Sequence, residues 1–102
     1  MTTTDPSAEP WDEDEYLETL EEERRAFAWV LRTEGGFSPT AALDAAIEHY
    51  PVEPADSAQR GLVFHDEAWH WALLRLYGEG YWRERPELAK PSAAYRAQAH
   101  LA

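Results

Sequence analysis

His65, Asp66, Glu67 and His70 are of the types that ligate metal ions, and their spacing decides what they could hold. On a helix, Glu67 and His70 are three apart and Asp66 and His70 four apart, so each pair shares a face. A Glu-x-x-His pair is half of the site in carboxylate-bridged di-metal bundles, which take a second such pair and two further Glu. No other Glu of this chain has a His three residues on. The zinc-protease helix needs two His four apart with Glu beside the first. Here His65 and His70 are five apart, about 140° round a helix, and diverge. A metal or small-molecule site centred on His65, Glu67 and His70 would need His49 or a distant acid to join it. The plainer reading makes Asp66 and Glu67 first-turn acids near a helix start, with His70 bonded to a neighbour at the core margin.

Other chemistry finds less support. The chain has no Cys, which removes disulfides, thiolate zinc sites and Cys nucleophiles. Ser7, Ser38, Ser57 and Ser92 stand in cap or loop contexts, without a nucleophile motif around them. Gly35-Gly36 and Gly78-Glu79-Gly80 match neither phosphate-binding glycine pattern and read as helix stops. The carboxylates between Glu13 and Glu23 sit on a solvated face, where they keep ordinary pKa values and cannot divide acid and base roles. No catalytic residue and no cofactor is assigned, and the expected class is non-catalytic.

Binding remains. The net charge of −11 is local: residues 1–23 hold ten acids and no Lys or Arg, whereas residues 24–102 hold ten acids and nine bases. Nine scattered bases give little for phosphate to bind, so direct contact with nucleic acid is not expected. Residues 11–50 have a helix-turn-helix outline, but the second helix has two acids and no Lys or Arg, and so lacks donors for bases or phosphates. Gly36-Phe37-Ser38 with Ala42-Leu43 resembles the opening of a ubiquitin-associated domain; the Pro-containing stretch that follows departs from that pattern, and nothing is carried over. An acidic helix can also mimic nucleic acid. Five Trp and three Phe exceed the evident needs of so small a core, and surplus aromatics gather at interfaces. Trp29, Trp71, Tyr81 and Trp82 lie off the main apolar stripes and are the candidate partner-binding residues. The expected partner is another protein or a second copy of the chain.

The elements that would position these residues are helices. Tyr16, Leu20, Phe27, Val30 and Leu31 keep within roughly 100° of arc, predicting a helix from about residue 11 to Glu34, before Gly35 and Gly36. Glu21 and Glu22 stand three or four residues before Arg24 and Arg25, a spacing that supports ion pairs. Ser38 and Pro39 read as a cap and first helical position, with Leu43, Ala46, Ile47 and Tyr50 as the buried stripe up to Pro51. Residues 51–60 read as loop. A Trp-rich helix over residues 64–77, apolar on more than one side, is expected at the centre, with Leu62, Trp69, Leu73, Leu76 and Tyr77 sharing a face. Ala26 to Leu31 and Ala68 to Leu73 share the pattern Ala-aromatic-x-Trp-x-Leu, as two core helices drawing on the same residue types would. Ser92 reads as the cap of a final helix carrying Tyr95 and Leu101.

Length and composition fit one small domain. The expected fold is all-α, a three-helix bundle-like domain over residues 11–85, preceded by a disordered acidic leader (1–10) and followed by a partly helical, loosely packed segment (86–102). No apolar run reaches the ~18 residues of a membrane span, and the N-terminus lacks an export pattern. A cytoplasmic protein without membrane contact is expected.

Overall fold

The computed structural model describes residues 12–58 and 60–99; the leader (1–10) and Leu101 lie outside them. The described residues form helices and connecting loops, without a strand. Helix α1 spans Glu13–Gly35, α2 Pro39–His49, α3 Ala68–Tyr77, α4 Tyr81–Glu84 and α5 Ala93–Ala99, with 3₁₀ turns at Leu62–His65 and Pro86–Leu88. The ends follow local chemistry. The Asp12 carboxylate accepts from Glu15 N–H at 3.3 Å. Gly36 ends α1 at φ 70°, where a side chain would be strained, and Phe37 N–H closes back onto Leu31 O at 3.1 Å. Ser38 Oγ accepts from Ala41 N–H at 3.1 Å, and Ser92 Oγ from Tyr95 N–H at the same distance, so both serine caps form as expected.

The hub is α1, not the Trp-rich helix: α2, α3 and α5 all pack on it. Its stripe of Tyr16, Leu20, Phe27, Val30 and Leu31 is buried, as expected, with Ala26 and Ala28 beside it. The two echoed segments meet here, each burying its first, second, fifth and sixth residues: Ala26, Phe27, Val30 and Leu31 on α1, and Ala68, Trp69, Ala72 and Leu73 on α3. The helices come close at one end, where a Cβ on Gly35 would stand 2.5 Å from Leu76 Cδ2.

Two expectations about faces are corrected. Helix α2 buries Ala42, Ala45 and Ala46, leaving Leu43 50% and Ile47 44% exposed. Small side chains bring α2 near α1, so Leu43 and Ile47 of the expected stripe are turned outward, while its Ala46 and Tyr50 are buried as expected. The Trp-rich helix begins at Ala68 instead of residue 64. Gly61, at φ 84°, opens a 3₁₀ turn, and Asp66 is extended. The Val63 carbonyl, which a continuous helix would bond to residue 67, instead accepts from Trp71 Nε1 at 2.9 Å. Leu62 is therefore exposed and off the α3 stripe.

Side chains bind the rest to the hub. Arg60 Nη2 donates to both Glu13 oxygens at 3.0 Å, and its guanidinium lies 3.8 Å from the Tyr16 ring centroid. Tyr16 Oη accepts from Glu53 N–H at 2.9 Å. Arg24 Nε donates to Tyr50 O at 2.9 Å, setting a cation at the C-terminal end of α2. Helix α5 is short, and inserts Tyr95 between Trp29 and Trp69 with ring centroids 6.1 and 5.4 Å away.

Candidate interaction surface

The structure does not gather His65, Glu67 and His70 into a site. Asp66 and Glu67 precede α3, so their helical spacing to His70 does not exist. Glu67 pairs with Arg96 at 3.1 Å. His70 Nδ1 lies 2.9 Å from Tyr81 Oη, where one hydroxyl and one ring nitrogen satisfy each other. Among the described residues no group of three His, Asp or Glu stands close enough to hold a metal. His65 joins Asp66, Glu53, Leu62, Val63 and Trp71 around an open groove of about 470 Å³.

Three of the four aromatic candidates gather round His70, whose ring centroid lies 5.8, 5.7 and 6.2 Å from those of Trp71, Tyr81 and Trp82, whereas Trp29 stands apart against Tyr95. Tyr81 is 3% exposed and belongs to the core, contrary to its expected place at a surface, because Gly80 at φ 81° turns the chain back and the Tyr81 hydroxyl shares a hydrogen bond with His70 Nδ1. Trp29 is half-buried under Tyr95, and Trp71 is half-buried beside His49 with its N–H satisfied by Val63. Trp82 is exposed, its ring 5.2 Å from that of Tyr81.

A better-formed surface lies between α1 and α2. An open groove of about 510 Å³ is lined by Ala28, Pro39, Leu43 and Ile47, with Glu21, Arg24, Arg25 and Arg32 around them. Leu17, 40% exposed, stands further along α1. The ion pairs expected of Glu21 and Glu22 with Arg24 and Arg25 do not form. Arg24 turns to Tyr50 O instead, and the Arg25 and Arg32 side chains have neither an ion pair nor a hydrogen bond among the described residues. Composition alone concealed this site. Its signal was Leu43 and Ile47 set among alanines on α2, and only the packing partner decides which of these face outward.

The perturbed groups line neither groove, although His49 lies 5.1 Å from the Trp71 ring at the edge of the first. Burial, reinforced by Glu22 and then Glu67, raises the Glu23 carboxyl to about 7. Burial raises the Tyr50 and Tyr95 hydroxyls, with Glu23 adding to each. The Tyr50 hydroxyl is buried without a hydrogen-bond partner among the described residues. Burial, and then Arg75, lowers His49, whose ring stacks on Phe27 at 4.9 Å and meets Tyr50 edge-on. The tyrosines are thus held neutral within the helix packing, and Glu23 departs from the ordinary carboxylate range expected of the acids between Glu13 and Glu23.

Comparison with protein-family models, curated proteins and solved structures found no match. Among the described residues no helix is long and apolar enough to cross a membrane.

Proposed function

We propose that the protein is a non-catalytic interaction protein that binds a protein partner through the groove between α1 and α2. The observation that carries this reading is the outward display of Leu43 and Ile47 beside three arginines. Exposed aliphatic side chains grouped in a concavity mark an interaction site, where scattered ones would not. Arginine adds directional donors at the rim. The aromatic candidates support the reading less, since Tyr81 is buried and Trp29 and Trp71 are half-covered. A partner with an apolar ridge and flanking acids fits the groove.

The test is affinity capture from the native source with the full chain, the Leu43→Asp/Ile47→Asp variant, and a form lacking residues 1–10. Both substitutions stand on the exposed side of α2, and circular dichroism checks that the helices persist. A protein retained by the full chain and by the truncated form, but lost from the double variant, is the expected result. Equal retention by the double variant overturns the reading.

A further inference from the structure

We propose that the occupant of the α1–α2 groove is a second copy of this chain, docked with the two α1 helices antiparallel; this rests on the groove being the interaction surface. The argument is charge complementarity along one face. At 100° per residue, Asp14, Leu17, Glu21, Arg25, Ala28 and Arg32 lie within roughly 80° of arc on α1. Its N-terminal half is acidic and its C-terminal half basic, with Leu17 in the first and the groove in the second. A face that reverses its charge along its length complements itself when turned end for end, which is the isologous geometry of a twofold dimer. Sliding two α1 helices antiparallel sets Leu17 against the partner's Ala28, Glu21 against the partner's Arg25, and Asp14 against the partner's Arg32. Leu17 then faces the groove that Ala28 lines with Leu43 and Ile47. Parallel pairing would set acid on acid and base on base, so the charge pattern selects orientation. Arg25 and Arg32 have no ion pair among the described residues, which leaves them available to these acids.

The experiment is sedimentation equilibrium of the full chain over a concentration series on the order of 10–500 µM, at low and high salt. Two charge-reversed variants follow, Arg25→Glu/Arg32→Glu and Asp14→Lys/Glu21→Lys, each alone and then mixed. The full chain is expected to dimerise at low salt, with affinity falling about tenfold or more at high salt. Each variant alone is expected to be monomeric, and the mixture to restore the dimer. Restoration also shows that both variants are folded. A full chain that stays monomeric throughout, a dimer indifferent to the reversals, or a mixture that stays monomeric overturns self-pairing. A monomeric chain whose groove still captures a different protein would refute self-pairing alone. Loss of that capture dependence on Leu43 and Ile47 refutes the groove.

Discussion

At the scale of single residues, Glu23 and His49 give the molecule opposite responses to pH. Burial, and then Glu22 and Glu67, raise the Glu23 carboxyl from 4.5 to about 7. The folded chain therefore binds this proton more tightly than the unfolded one. Its stabilisation is full below pH 4.5 and is lost as pH rises to about 7. Allowing for solvent screening of its exposed part, the loss is about 1–2 kcal/mol. His49 is lowered from 6.5, so its contribution is present above that value and is lost as pH falls below it. Replacing Glu23 with Gln keeps a neutral side chain of similar shape at every pH. Urea unfolding at pH 5 and pH 8 should show the wild type losing stability relative to E23Q at the higher pH. An unchanged difference between the two proteins would contradict a carboxyl held neutral by the fold. The sequence showed Glu23 as one of many acids on α1; its special position follows from α3 and α5 closing over that side.

At the scale of elements, α5 is the informative case. Its start was legible, because Ser92 is a hydroxyl cap and Tyr95 is the large apolar residue that follows. Its role was not legible, since nothing in an alanine-rich, polar helix says that Tyr95 will wedge between Trp29 and Trp69. Ending the chain at Lys90 should expose both indoles, shift tryptophan emission to longer wavelength and lower the unfolding midpoint by several degrees, as losing a buried aromatic of about 3 kcal/mol would. Emission unchanged from the full chain would mean that α5 does not cover these rings in solution. Helix α2 makes the same point from the other side. Its boundaries follow from Ser38, Pro39 and Pro51, whereas its orientation depends on how close α1 will allow it to come.

At the scale of the whole molecule, charge is distributed unevenly and acts on stability. Asp14, Glu18 and Glu22 repeat every four residues on α1, a like-charge spacing that destabilises a helix. Adding salt to a dilute solution should therefore raise the unfolding midpoint, because screened repulsion is relieved more than the few surface ion pairs are weakened; a midpoint that falls with salt in thermal unfolding would count against this balance. Helical class, the caps at Ser38 and Ser92, the stop at Gly36 and the buried stripe of α1 were determined by sequence alone. Each is a local matter, set by backbone conformation, a nearby hydroxyl or a period of 3.6 residues. Which helix is the hub, that Leu43 and Ile47 of α2 face outward, and where Tyr81 and His70 meet were decided by tertiary structure. Those depend on close approach between segments far apart in the chain, where alanines admit a neighbour that leucine and isoleucine would hold away.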